Sequence, residues 1–405
     1  MHDRKDLTLP TTWITGSPTR LASVKVAEDE QSSPVSIVIL AKDEERCIAR
    51  CLDSVIGQDF DDIIVLDTGS TDNTAYIVGD YIAHGVRLLR TPWANSFAHA
   101  RNRGIDAVGR GWIVFLDADE WLTEEAARRL RPCLMSLSRL ENVSRLTFAP
   151  EIVHVDRGEY THDLPRIFKA DSAIRFRGQV HEYPVIAQGS PTPVEVITID
   201  IQMNHDGYSP AVVMDKNKRK RNLDLLAAAR LDDPDNPRWW YFTVRDGLAV
   251  HDHSELLSLC ERLKELAGRP TDTGDRRSAR DYYRLALGSA CQRLSAVGDW
   301  LTVYRNCEDL PEADAFYFRT IRELLGGMVT GAGLIEAIRR RSDEELTTES
   351  VVDPSGRHLD AVIVALLEQL NQGTKSKKYR ELCAPWTDSF FEESRLRPHY
   401  RQRSL

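Results

Sequence analysis

The sequence predicts an α/β domain with a parallel sheet, followed by an α-helical domain. Short β-branched runs alternate with amphipathic stretches over residues 35–117, a pattern typical of strand–helix–strand units with right-handed crossovers. Shorter β-like runs separated by turns fill residues 145–204, and from Pro210 onward the apolar spacing becomes helical. We therefore expect three parts: a flexible N-terminal arm, an α/β domain and a helical domain, at residues 1–34, 35–222 and 223–405.

The elements of the α/β domain follow from its apolar runs. Residues 35–41 are a continuous, β-branched run of the kind that forms a strand buried on both faces. Amphipathic spacing predicts helices that contain Ile48 and Leu52, then Ile77 and Val78, and a further helix at 97–108. The predicted strands span residues 35–41, 62–67, 86–89 and 111–116.

The helical domain is predicted from six apolar segments separated by turns. Turns such as residues 232–237 and 297–300 resemble those of tetratricopeptide-like helical hairpins. The aromatic residues 239–242 are interpreted as helix-packing core rather than as a sugar-stacking surface. The predicted helices span residues 223–231, 239–250, 256–266, 279–294, 301–303 and 316–325.

The composition argues against several classes of protein. The net charge of -9 over 405 residues is unlike that of a nucleic-acid-binding protein. Apolar runs long enough for a membrane span are missing, and residues 1–34 hold no apolar segment of signal-peptide type. The seven cysteines are scattered without a CxxC pair, which favours reduced, mostly buried thiols. We expect a cytoplasmic protein without stable membrane insertion.

Polar clusters follow three of the predicted strands. They lie at residues 41–44, 67–71 and 117–120. Because the carboxyl ends of parallel strands share one edge of the sheet, clusters that are distant in sequence come together there, where ligands bind in such folds. The sequence therefore predicts a nucleotide site at this edge.

The acidic run Asp117-Ala118-Asp119-Glu120 has the composition of a cation site. Asp117 and Asp119 can point to the same side of an extended segment, and hard cations prefer oxygen ligands. A divalent ion (Mn²⁺ or Mg²⁺) would neutralise the diphosphate of a sugar nucleotide and stabilise the leaving group. We expect Asp119 to hold the metal and Asp117 to contact ribose or metal-bound water. Alternatively, these acids cap the helix that begins near Thr123.

Residues 36–120 resemble a family 2 glycosyltransferase with the GT-A fold. The resemblance implies that Ala41 and Glu44 line a nucleoside pocket and that Asp67 accepts a hydrogen bond from uracil N3. It also implies that Arg101 lies near the phosphates and that Ala118, between the two metal-site acids, contacts the donor. Glu44 could instead be a first-turn helix acid, and Arg101 a surface residue. The motifs that carry the resemblance are residues 39–45, 65–74, 100–102 and 115–120.

Later motifs resemble those of bacterial peptide S-glycosyltransferases of the sublancin or glycocin type. This resemblance covers about residues 36–240 and implies an inverting enzyme that moves a hexose from UDP-glucose or UDP-N-acetylglucosamine to a peptide cysteine, with a homodimer through the helical region. This chain has Asp43 where the subgroup often has asparagine, and Glu120 where the sublancin enzyme has asparagine. The motifs are residue 154 and residues 166–168, 176–182, 204–208, 216–222 and 234–239.

Histidines and basic residues complete the predicted site. Inversion needs a base beside the acceptor, and His181 and Glu182 are the candidates; alternatively they are a structural pair. His205 is expected to be a further metal ligand, since imidazole suits manganese, or else a loop histidine. Lys216 and Arg221 are expected to contact the phosphates, unless their basic run is only a solvated helix face.

These residues suggest three functions. A peptide glycosyltransferase agrees with the motifs and with the lack of a strong basic amphipathic membrane-contact stretch. Related transferases that act on lipopolysaccharide-core or lipid-linked sugars share several motifs and are the nearest alternative. A non-catalytic helical scaffold is disfavoured because Glu44, Asp67, Asp117 and Asp119 are all present.

Overall fold

The computed structural model describes residues 33–156, 158–206, 218–270, 272–386, 388 and 391. The described residues divide into two compact units, one within the ranges 1–225 and 272–276 and the other within 226–271 and 277–405. The predicted arm at residues 1–34 lies outside the described residues except for Ser33 and Pro34, and the predicted domain boundaries stay predictions.

The first unit contains a mixed sheet with a parallel half. Its strands run in the order β3-β2-β1-β4-β8-β6-β12-β5, and β7 pairs with β6. A second, smaller sheet has the order β11-β10-β9. The strands are β1 (Val35–Ala41), β2 (Asp62–Asp67), β3 (Val86–Arg90), β4 (Trp112–Asp117), β5 (Glu120–Leu122), β6 (Leu146–His154), β7 (Glu159–Thr161), β8 (Ile167–Lys169), β9 (Ile174–Arg177), β10 (Tyr183–Ile186), β11 (Thr192–Pro193) and β12 (Glu195–His205).

The parallel half of the sheet confirms the sequence prediction. β1 pairs in parallel with β2 and with β4, and β2 pairs in parallel with β3. The first two strands have the predicted bounds, and the next two end one residue later than predicted. Beyond β4 the sheet becomes mixed, because β8 pairs antiparallel with both β4 and β6.

Helices cover both faces of the parallel strands, as continuous apolar runs require. Ile37 and Ile39 lie in one apolar cluster with residues of α1 and α4, whereas Val38 lies in a second cluster with residues of α3. These side chains are fully buried, so burial on both faces stabilises β1. The helices of this unit are α1 (Ile48–Asp53), α2 (Thr74–Asp80), α3 (Phe97–Val108) and α4 (Glu124–Leu137).

The strand register brings the predicted polar ends together. Ala41 of β1 lies opposite Asp67 of β2, and Leu40 lies opposite Asp117 of β4. On the far side of the acidic run, the short strand β5 pairs antiparallel with the end of β12, so that Glu120 lies opposite His205. The sequence prediction missed β5, and this pairing is what places His205 beside the acidic run.

The second unit is helical. Its core includes Tyr282, Leu287, Tyr317 and Leu366, all almost completely buried, and Trp239 is also buried, as predicted. Among the described residues, no helix is long and apolar enough to cross a membrane. After α5 (Lys218–Asp232), which begins in the first unit, the helices are α6 (Pro237–Gly247), α7 (His253–Ala267), α8 (Ala279–Ala296), α9 (Trp300–Asn306), α10 (Glu312–Gly326), α11 (Gly331–Arg341), α12 (Glu344–Thr348), α13 (Arg357–Gln369) and α14 (Gly373–Leu382).

Candidate active site

Arg101 is held over the end of β4 by the close packing of α3 on the sheet. Gly104, one turn later in α3, allows this approach. A Cβ at Gly104 would lie 2.9 Å from Val38 Cγ1 and 3.2 Å from Phe115 Cε1. Arg101 is buried, and its guanidinium carbon lies 5.3 Å from the centre of the Phe115 ring. The helix thus places a cation in an apolar wall next to the acidic run.

A buried chain of charges runs through the site. Arg101 donates from Nε to Glu182 Oε1 at 2.6 Å and from Nη2 to Asp117 Oδ1 at 3.1 Å. Arg166 donates from Nη2 to Asp117 Oδ2 and to Glu120 Oε1, each at 2.6 Å. Both oxygens of Asp117 are therefore held by guanidinium groups, which fixes the orientation of that carboxylate.

The neighbouring charges and the burial of this charge chain set the protonation states of its carboxyl groups. Burial opposes ionisation of Asp117, but Arg166 and Arg101 outweigh it and hold the pKa of Asp117 well below its usual range. Burial also opposes ionisation of Glu182, and Arg101 again lowers the pKa of this group. For Glu120, burial outweighs the attraction of Arg166 and raises the pKa. Asp117 and Glu182 are therefore anionic at neutral pH.

Asp119 lies beside His205 in a nearly enclosed position. The Asp119 side chain is 12% exposed and the His205 side chain 13% exposed, and His205 Nε2 is 3.6 Å from Asp119 Oδ2. Burial lowers the pKa of His205, but Asp119 and the neighbouring acids outweigh it and raise the pKa. A carboxylate and an imidazole thus face each other, and a positive charge is favoured between them.

These donors suit a divalent cation. The Asp119 carboxylate faces His205 Nε2 at 3.6 Å, so a cation between them could take both side chains as ligands. Carboxylate oxygen with imidazole nitrogen is a donor set that Mn²⁺ accepts. No group of three or more His, Cys, Asp or Glu in the described part of the chain is arranged to hold a metal by itself. A cation here would need oxygens from another source, such as a diphosphate or water.

The loops after β1 and β2 are pinned together and shape the neighbouring part of the site. Asp43 Oδ1 accepts from Thr71 N at 2.7 Å, and Glu44 N donates to Thr74 Oγ1 at 2.7 Å. Asp43 has φ 53, a left-handed conformation that aspartate and asparagine both tolerate. Asparagine, which the resemblance leads us to expect here, carries the same Oδ1 acceptor, so Asp43 makes the contact that asparagine would make.

Asp67 presents one carboxylate oxygen to the site. Its Oδ1 accepts from Gly69 N at 3.2 Å and Ser70 N at 2.8 Å. In the described structure Oδ2 has no such donor, although the residue is only 3% exposed. Ala41, opposite Asp67 in the register, is buried, and its carbonyl accepts from Thr68 N at 3.0 Å. Ala41 is therefore placed to shape the pocket through its backbone.

The connection between β9 and β10 carries His181 and Glu182 and packs on the first turn of α3. Gly178 O accepts from Ala98 N at 3.3 Å, and Gln179 O accepts from Phe97 N at 2.9 Å. His181 has φ 50, a conformation that is strained for most residues and is often found at functional sites. The strained turn is thereby fixed beside Arg101.

Arg221 comes close to the same edge. Its guanidinium carbon lies 5.2 Å from the centre of the Phe97 ring. Burial lowers the pKa of Arg221, and the charge of Glu44 acts in the opposite sense. Arg221 therefore lies within electrostatic reach of Glu44. The prediction for Lys216 falls outside the described residues.

The structure thus brings together most of the predicted site residues and adds some that the sequence did not indicate. The charged chain joins Arg101, Asp117 and Glu182. From the sequence no role is predicted for Arg166 beyond its motif, although an arginine directly before a buried strand is a usable signal. His154 also had no predicted role, and the structure places it against His205.

Comparison with known proteins shows which family the strand-end region resembles. Residues 36–138 match the model of glycosyl transferase family 2. This stretch contains β1 to β4 and the acidic run, and so carries Asp67, Arg101, Asp117 and Asp119. Residues 36–138 are therefore similar to a family 2 glycosyltransferase domain, and the prediction of a GT-A-like α/β domain followed by a helical domain is confirmed.

The relatives extend the similarity beyond that domain. The chain is 28% identical over 357 residues to the SPbeta prophage-derived glycosyltransferase SunS of Bacillus subtilis (strain 168), with 87% of this chain and 81% of that protein covered. A TPR repeat-containing protein of Synechococcus elongatus is 29% identical over 293 residues, with 66% and 70% covered. S. aureus TarS 1-349 in complex with UDP has a TM-score of 0.35 at 13% identity, with 71% and 87% covered.

Proposed function

We propose that this chain transfers a hexose from a UDP-sugar, with inversion, to a cysteine thiol of a ribosomally made peptide. The observation that carries the proposal is the strand-end arrangement of Asp67, Asp117 and Asp119 in a family 2 domain. The similarity to SunS over most of both chains supports it, as do the motifs that resemble peptide S-glycosyltransferases. The cytoplasmic location and the homodimer stay predictions.

The donor would lie across the carboxyl ends of β1, β2 and β4. The available Oδ2 of Asp67 would accept from uracil N3, with Ala41 and Glu44 beside the base. Nη1 of Arg101 is buried and, within the described ranges, has no hydrogen-bond partner. A buried donor of this kind costs free energy unless a ligand satisfies it, so Arg101 would bind a phosphate or sugar oxygen.

Asp119 and His205 would hold a divalent cation, Mn²⁺ or Mg²⁺. When bound, the cation neutralises diphosphate charge and stabilises the departing nucleoside diphosphate. Asp117 would contact ribose or a cation-bound water rather than move, because two guanidinium groups fix both of its oxygens. Arg221 would approach the phosphates from the other side, together with Lys216.

Of the two predicted bases, the contacts favour His181. Glu182 is bound to Arg101 at 2.6 Å and its pKa is lowered, so it is suited to orient Arg101. The thiol has an ordinary pKa of about 8.5 and needs little help to ionise. His181 would take the proton from Sγ as the bond from Sγ to sugar C1 forms and the bond from C1 to the diphosphate oxygen breaks.

The acceptor is tested with matched peptides. The protein is incubated with UDP-glucose or UDP-N-acetylglucosamine, Mn²⁺ and peptides that differ only in Cys, Ser or Thr at one position, and hexose addition is detected by mass spectrometry. We expect modification of the cysteine peptide alone. Transfer to a lipid-linked or lipopolysaccharide-core sugar, with every peptide unmodified, would contradict the proposed acceptor while leaving the donor assignment intact.

A further inference from the structure

His154 and His205 lie opposite each other at the ends of β6 and β12. Their Nδ1 atoms are 3.0 Å apart, and the two rings are nearly perpendicular, at 89°. His154 is only 8% exposed. The pairing is thus a hydrogen bond between two imidazoles inside the protein.

Polar contacts continue on both sides of this pair. His154 Nε2 lies 2.8 Å from Thr161 Oγ1, and His205 Nε2 faces Asp119 Oδ2 at 3.6 Å. The order is therefore Thr161, His154, His205, Asp119. In a hydrogen bond between two ring nitrogens, one must donate and the other must accept.

Because of that requirement, the tautomer of His154 depends on the tautomer of His205. If His205 Nε2 gives its lone pair to a cation, its Nδ1 carries the hydrogen and donates to His154 Nδ1. His154 then carries its hydrogen on Nε2 and donates to Thr161 Oγ1. The hydrogen bonds can also run in the opposite direction, because the Thr161 hydroxyl can donate to His154 Nε2. In that case His205 carries its hydrogen on Nε2, facing Asp119.

We propose that His154 is a positioning residue for His205: it accepts the hydrogen of His205 Nδ1 and so turns the Nε2 lone pair toward Asp119. The inference rests on the proposed role of His205 as a cation ligand. Groups that orient a metal-binding histidine in this way change metal affinity by about 10- to 100-fold when removed. The Thr161 hydroxyl permits both directions of the hydrogen-bond chain, so that the site can exist with or without the cation.

The first arm of the test measures Mn²⁺ affinity in the presence of UDP, from the electron paramagnetic resonance signal of free Mn²⁺. His154→Leu removes the acceptor, whereas His154→Asn keeps an acceptor near the position of Nδ1. His84→Leu, at an exposed ring elsewhere in the unit, is the control. We expect about 10- to 100-fold weaker Mn²⁺ binding for His154→Leu, and affinity near that of the parent for His154→Asn and His84→Leu. Equal melting temperatures confirm that the variants fold.

The second arm needs no metal. In protein labelled with ¹⁵N-histidine, a ¹⁵N–¹⁵N coupling across the hydrogen bond should join the two rings in the parent and vanish in His154→Leu. Parent-like Mn²⁺ affinity in His154→Leu, alongside loss of affinity in His205→Leu, would overturn the proposal. If the parent binds no Mn²⁺, the cation part of the proposed function fails. The coupling then decides separately whether His154 orients His205, and its absence from the parent refutes that role.

Discussion

Arg166 offers a quantitative test of the buried charge chain. The residue is 8% exposed, and its Nη2 lies 2.6 Å from both Asp117 Oδ2 and Glu120 Oε1. Arg166→Met keeps much of the apolar stem but leaves two buried carboxylates without this cation. Breaking a buried pair by removing one partner costs about 3–5 kcal/mol. We expect a loss of that size in the free energy of unfolding at pH 7.

The pH dependence of that loss follows from Glu120. Burial already raises the pKa of Glu120 in the parent, and removal of Arg166 raises it further. A group whose pKa is higher in the folded state contributes stability below its unfolded pKa and loses it as pH rises. The deficit of Arg166→Met should therefore be smaller at pH 5 than at pH 7. Adding Glu120→Gln should recover part of the loss at pH 7, because one unpaired charge is gone.

The assay is urea unfolding of the parent, Arg166→Met and the double variant, followed by circular dichroism and tryptophan fluorescence at both pH values. Arg103→Met, at an exposed position of α3, is the control and should change stability by less than about 0.5 kcal/mol. A loss below about 1 kcal/mol for Arg166→Met would refute the reasoning, since surface ion pairs contribute that little. A double variant less stable than Arg166→Met would refute it as well.

Three further predictions concern other parts of the molecule. Gly104→Ala brings a Cβ to 2.9 Å from Val38 Cγ1, so we expect the free energy of unfolding in urea to fall by about 1–3 kcal/mol. Donor binding should also weaken, because Arg101 shifts. An unchanged free energy of unfolding would contradict the packing argument. In the helical unit, burial lowers the pKa of His358 to about 4, from 6.5, and raises the pKa of the adjacent Asp314 to about 6, from 3.8. In the parent the stability that His358 loses and the stability that Asp314 gains as pH falls nearly cancel, so Asp314→Asn alone should lose about 3 kcal/mol of stability as pH falls from 6.5 toward 4. A melting temperature of Asp314→Asn that does not change with pH would contradict this. His181→Gln should lower kcat by about 10²- to 10⁴-fold with UDP binding unchanged, and a parent-like pH–rate profile would remove His181 as the base.

The parallel half of the fold could be predicted because its determinants are local. Residues 35–41 and 62–67 are continuous apolar runs bounded by polar turns, and burial on both faces of a sheet requires such runs. Parallel pairing then places their carboxyl ends at one edge, so the site followed from the strand assignments. The region beyond residue 326 is placed in the predicted helical domain, but its individual helices are not predicted.

The remaining contacts of the site depend on pairing between distant segments. β5 has three residues, too few for a periodic signal, yet its antiparallel pairing with β12 places His205 beside the acidic run. Arg166 reaches Asp117 only because β8 pairs antiparallel with β4. Neither arrangement can be predicted from local sequence patterns, because both depend on the order of strands in the sheet.

The central claim is that Asp119, with His205, holds a cation that the donor diphosphate requires. Calorimetric titration of UDP with and without Mn²⁺ tests this directly in the parent, in Asp119→Asn and in Asp171→Asn, a change at an exposed aspartate. The account predicts that Mn²⁺ tightens UDP binding in the parent and in Asp171→Asn but not in Asp119→Asn. Equal tightening by Mn²⁺ in Asp119→Asn would contradict it.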